Sequence, residues 1–175
     1  MGWTKIHRPK GMTDRAWFQQ EWGAGICILD AATVNNTFYA ACEHTKEPGK
    51  VWGAVVLLQR FSKDHYNFEY KDMCEEMGPC ESRCPARILD LLTPTESKYA
   101  NDWRARCRER ARNTAFISKL APGQTVKLLE PMTFGGVAAQ YLTKVLLPRH
   151  RNVYRTEAGN LVRFSNLADY RFEQA

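Results

Sequence analysis

The chain has 175 residues, of which 44% are hydrophobic and 11% aromatic, and a formal charge of +6 with a pI near 9.1. That length fits one compact domain, or a domain with a small satellite, and the apolar content excludes wholesale disorder. No apolar run approaches the ~20 residues that span a bilayer, the basic opening segment lacks the apolar core of a signal peptide, and the positive excess favours DNA, RNA or an acidic protein surface as partner.

Residues 1–12 read as an extended basic arm ending at Gly11. Thr13 or Asp14 is expected to cap a helix through about Gly23, with Trp17, Phe18 and Trp22 on its apolar side. Ile26-Cys-Ile-Leu29 is a short apolar run that fits a strand or a helix. Thr37–His44 and Val51–Phe61 read as strands, and the Pro48-Gly49 pair between them marks a hairpin turn. Val51–Leu58 is almost continuously apolar, as a central strand covered on both faces would be. Tyr66–Met73 is a third expected strand, with Tyr66, Phe68 and Tyr70 on one face. Cys84–Leu92 reads as a short helix opened by Pro85 and closed by Thr93-Pro94.

A long helix is expected from about Glu96 to Ser118, with Tyr99, Trp103, Cys107 and Ala111 as its buried stripe. After Pro122-Gly123 the texture changes to short strands, at Val126–Leu129, Val137–Leu147, Asn152–Thr156 and Leu161–Phe164. The expected fold is therefore α+β: an antiparallel sheet with packed helices over residues 1–118, then a small barrel-like antiparallel module over residues 119–175.

The six cysteines of an intracellular protein are thiols or ligands before they are disulfides. Cys74, Cys80, Cys84 and Cys107, with His65, Cys42 and His44 elsewhere, are of zinc-ligand type. They form no Cys-x-x-Cys knuckle, and cysteine is common as a buried small hydrophobe, so no metal is expected. Glu69, Asp72, Glu75 and Glu76 make an acidic cluster in a basic chain. Such carboxylates can bind a hard cation or act as acid and base, but pairing with Arg83, Arg87 or the arginine-rich helix is the commoner fate. An enzyme in this region would use Glu69, Asp72 and Cys84, the last activated by the helix start. The order hairpin, third strand, glycine loop, helix resembles the centre of an acetyltransferase-like fold, whose backbone N–H groups hold a pyrophosphate. Here the loop over residues 74–83 has one glycine, a proline and three glutamates, so no cofactor is expected.

Arg104, Arg106, Arg108, Arg110 and Arg112 place five arginines in nine positions, with Glu109 the only acid among them. Helical spacing sets such guanidinium groups about 6 Å apart, suited to phosphate or carboxylate. Lys144, Arg149, His150, Arg151, Arg155 and Arg163 form a second basic region, which Lys5, His7, Arg8 and Lys10 extend. No helix-turn-helix or RNA-recognition signature accompanies them, so backbone or shape recognition is expected in place of base reading.

Tyr70-Lys-Asp-Met73, Cys84-Pro85 and Leu92-Thr-Pro-Thr95 follow one another in that order. The segment over residues 66–107, with Trp3–Lys10 more loosely, resembles an uncharacterised family of phage and integrative-element accessory proteins. That resemblance implies a mobile-element protein of the host-cell cytoplasm, in a class rich in anti-restriction and anti-CRISPR factors. The expected function is non-enzymatic: binding of nucleic acid, or of a host defence nucleoprotein complex, through a basic surface. The alternatives are a small enzyme, acyltransferase-like or nucleic-acid-modifying, centred on residues 69–84, and a phage module acting by protein contact alone.

Overall fold

The computed structural model describes residues 2–61, 67–148 and 150–175, with Arg151 described by its backbone alone. It is α+β, with two five-stranded antiparallel sheets on two compact units, residues 1–109 and 110–175. The division falls inside the long helix, ahead of the composition change near residue 118.

The first unit holds β1 (Thr4–His7), α1 (Asp14–Glu21), β2 (Ile26–Val34), β3 (Thr37–His44), β4 (Val51–Arg60), β5 (Asn67–Cys74) and α2 (Ala86–Leu89); α3 (Lys98–Lys119) begins in it. The strand order is β1-β5-β4-β3-β2. The β3–β4 hairpin lies at the centre, in register from Glu43 opposite Val51 to Thr37 opposite Leu57. Its residues are apolar on both faces because helices cover both. On one face α1 lays Trp17 and Phe18 against Ile28, Phe38, Ala40, Cys42, Val56 and Phe68. On the other, α2 and α3 bring Ile88, Leu89, Trp103 and Cys107 against Tyr39, Ala41 and Val55. Thr13 starts α1 by accepting the Ala16 N–H at 3.1 Å, and Gly23, at φ 71°, ends it in a conformation other residues resist.

Two stretches that sequence reasoning left open are strands. Residues 4–7 of the basic arm pair with β5, Thr4 opposite Tyr70 and His7 opposite Asn67. The Ile26–Leu29 run extends to Val34 as the edge strand β2. That edge is covered by side chains. Gln19 donates to the Ile26 carbonyl at 2.6 Å and accepts the Ile28 N–H at 2.9 Å. Arg15 donates to the carbonyls of Ile28 and Leu29, and Arg87 to that of Ala31. The third strand is described from Asn67; Tyr66 and His65 lie outside the described residues.

The buried stripe of α3 is Ala100, Trp103, Arg104 and Cys107, not the stripe through Tyr99 and Ala111. Tyr99 is 65% exposed and Ala111 is exposed. The helix is rotated because an arginine, not an apolar residue, takes the inward position beside Trp103.

The second unit is built on β6 (Thr125–Phe134), β7 (Val137–Leu147), β8 (His150–Thr156), β9 (Leu161–Arg163) and β10 (Phe172–Gln174), ordered β10-β6-β7-β8-β9. Gly135 and Gly136, at φ 57° and 85°, make the β6–β7 turn. Val126, Leu128, Leu142, Tyr154, Phe164 and Leu167 form its core. The register breaks between Lys127 and Met132 and between Val145 and Leu147, the irregularities that bend a sheet. Among the described residues β9 and β10 do not pair, so the sheet is open. No helix among the described residues is long and apolar enough to cross a membrane.

Candidate functional site

The acidic segment and the arginine helix do meet, in the interior. Glu75 follows β5 directly and is 2% exposed; Arg104 is 6% exposed. Arg104 Nε and Nη2 donate to the two Glu75 oxygens at 2.6 and 2.7 Å, and its Nη1 donates to the Thr93 carbonyl at 2.7 Å. Glu75 also accepts the Gly53 N–H at 3.0 Å. A Cβ on residue 53 would stand 3.2 Å from the Trp103 ring and 3.4 Å from the Glu75 carboxyl carbon, so glycine is what lets both approach β4. Arg104 is thus withdrawn from the expected basic face: burying an unpaired guanidinium is prohibitive, and Glu75 is the partner that makes it tolerable.

The other arginines of α3 divide. Arg106 is exposed and donates to the Pro79 carbonyl at 2.8 Å. Arg108 stands 3.9 Å from Asp90 and reaches the Leu89 carbonyl at 3.4 Å, a loose arrangement. Arg110 pairs with Asp169. Arg112 is exposed. Arg149 lies outside the described residues, as does the side chain of Arg151.

Glu69, Asp72 and Cys84 are not gathered into one site. Period-two alternation puts Asp72 on the α1 face of the sheet with Phe68 and Tyr70, where it takes a hydrogen bond from the Trp22 side chain. Glu69 lies 3.7 Å from Lys5 of β1. Cys84 is 3% exposed and belongs to the opposite core with Trp103 and Cys107. Burial, then the neighbouring Cys107 and Glu75, push its thiol far above the usual range, the reverse of nucleophile activation. The cysteines are not gathered either: Cys80 is exposed, Cys74 half-buried, and Cys84 and Cys107 buried. Among the described residues no group of three or more His, Cys, Asp or Glu side chains is placed to hold a metal ion.

A different surface does collect cationic and aromatic groups. In the second sheet, Val126, Leu142 and Tyr154 face the core, so the residues next to them along each strand face away. Across that outer face run Glu173–Lys127–Tyr141 and Thr125–Thr143–Arg155–Leu161, while Arg163 lies opposite Val153. Tyr141 is 41% and Leu161 53% exposed. Lys127 is held by Glu173 at 2.9 Å, while Arg155 and Arg163 are both exposed. Sequence reasoning had marked Arg155 and Arg163 but not Tyr141. The signal for Tyr141 is its place directly before Leu142, which alternation turns inward.

A family model described as a domain of unknown function (DUF6927) matches residues 94–167, taking in α3 and the sheet from β6 through β9. No curated protein matches the chain. No solved structure does.

Proposed function

We propose that the protein is a non-enzymatic nucleic-acid-binding protein, whose principal contact is the outer face of the second sheet. One observation carries the reading. Arg155 and Arg163, with the exposed ring of Tyr141, share one open, bent surface in a chain of net charge +6. Guanidinium groups neutralise phosphates without regard to sequence, and an exposed tyrosine offers a platform on which an unpaired base stacks. The two breaks in register are of the kind that bend a sheet, and in this reading the module curls as a partial barrel with this face as the binding face. Arg106, Arg108 and Arg112 supply further positive charge. In this reading the protein is an accessory factor of a phage or integrative element. It acts in the host cell by occupying nucleic acid, or a defence complex that carries it.

An enzyme centred on residues 69–84 would need Glu69, Asp72 and Cys84 around one substrate, and a thiolate at Cys84. Their separation across the sheet and the burial of Cys84 favour the binding role.

The test is a filter-binding or anisotropy titration with single-stranded and duplex oligonucleotides across a salt series. Reversing both Arg155 and Arg163 to Glu should weaken binding to every sequence. It should flatten the log–log salt slope by roughly 0.7 per lost contact on single strands and 0.9 on duplex. Tyr141→Ala should weaken single-strand binding by about 1–3 kcal/mol and duplex binding less. Unchanged affinity and slope in the folded double variant would remove this face as the contact.

A further inference from the structure

We infer that the first unit carries a separate small-molecule site, a cleft of about 730 Å³ at one end of its sheet that takes a nucleoside monophosphate. His44, Lys46, Lys50, Trp52, Glu75 and Glu76 are among the side chains lining it. The volume is that of a ligand pocket. Its chemistry is specific in three respects.

Trp52, second residue of β4, forms part of the wall, with the His44 ring tilted only 31° from it at 5.9 Å. Together they give the cleft a planar, π-rich side. Lys46 and Lys50, with one carboxylate, Glu47, between them in the chain, are exposed on the β3–β4 turn and line the cleft. Glu76 is exposed and lines the cleft, whereas Glu75 is already spent on Arg104 and Gly53.

A nucleoside monophosphate matches all of these at once. The base lies along the Trp52–His44 wall. The phosphate lies between the two ammonium groups, and Glu76 accepts from an amino or hydroxyl group. The site lies wholly in the first unit and stands whether or not the second sheet binds nucleic acid.

The experiment is a ¹H–¹⁵N titration that follows the indole signals of the five tryptophans, with the Trp52 signal identified by its loss in Trp52→Phe. Adenosine, guanosine and cytidine 5′-monophosphates are the probes, with adenosine alone and inorganic phosphate alone as partial ligands. Saturable movement of the Trp52 signal with at least one monophosphate is expected, and weaker movement with adenosine. Lys46→Glu with Lys50→Glu should raise that Kd about tenfold or more and leave the other indole signals and the melting temperature in place. If Trp52→Phe does not fold, calorimetric titration of the parent and the double lysine variant decides the matter. No saturable binding at millimolar monophosphate overturns the inference. So does binding indifferent to the two lysines, or an equal response to phosphate alone, which would make the cleft a simple anion site.

Discussion

Glu75 and Arg104 form a two-point fork inside the first unit, both side chains less than a tenth exposed, and the fork ties the end of β5 to the middle of α3. The same carboxylate holds the Gly53 amide of β4, and the same guanidinium holds the Thr93 carbonyl. One ion pair thereby joins four segments that are distant in sequence. Removing one partner alone strands a buried charge, at a cost of about 3–5 kcal/mol. Arg104→Met should therefore lower the denaturant midpoint steeply, and Arg104→Met with Glu75→Gln should recover part of that loss. Additive losses in the double-mutant cycle would show that the two residues do not act as a unit.

Trp103 is fully buried against β4, and its indole donates to the Glu81 carbonyl at 2.8 Å. Trp103→Ala should cost about 3–5 kcal/mol in chemical denaturation. Gly53→Ala, whose methyl meets that ring, should cost about 1–3 kcal/mol. The glycine penalty should shrink in a Trp103→Phe background if the contact is its source.

Asp14 sets an acid limit. Burial alone would raise its carboxyl, but hydrogen bonds from Thr33 and Arg60 and the charges of Arg60 and Arg8 outweigh that and hold it below its ordinary value of 3.8. Because the folded value lies below the unfolded one, this stabilisation is complete above the ordinary range. It is lost as pH falls through the folded value. Urea midpoints measured from pH 5 down to pH 2 should fall less steeply in Asp14→Asn than in the parent. Parallel curves would assign the acid sensitivity elsewhere.

Five of the six thiols, all but half-buried Cys74, should separate into two kinetic classes. Cys27 and Cys80 are exposed, while Cys42, Cys84 and Cys107 are buried. Burial, then Asp72 and Cys27, push the Cys42 thiol up to about 12. A disulfide reagent at pH 8 should modify Cys27 and Cys80 at once and the three buried thiols only on unfolding. Fast labelling of Cys84 would reopen the case for a nucleophile there.

Much of the first unit was legible because its signals are local. The β3–β4 hairpin carries Pro48-Gly49 between two apolar runs, and α1 carries its own cap at Thr13. The phase of α3 was not legible, because hydropathy ranks arginine as outward. Only the distant Glu75, held by Gly53, makes Arg104 an interior residue. For the same reason the basic helix looked like a single cationic face. The partners of Arg104 and Arg110 are Glu75 and Asp169, 29 and 59 positions away, beyond the reach of any spacing rule. β1 was hidden because four residues at an edge need no apolar period, only a neighbouring strand with free backbone groups. The outer face of the second sheet was half visible: its charges stand in the sequence, but the register that lines them up is set by pairing.

The side chains lying along β2 have a consequence for how this molecule meets others. Gln19 presents an amide where the next strand's peptide group would sit, and Arg15 and Arg87 occupy the carbonyls beyond it. The lattice of peptide bonds therefore terminates within the chain itself. At the other end the outermost strand has only four residues, too few to template a long recruit. Both features work against fibre growth and strand exchange through this sheet. Gln19→Ala removes the mimic. It exposes the Ile26 carbonyl and the Ile28 amide, and self-association rising with concentration in sedimentation would be the sign that the terminus had been holding.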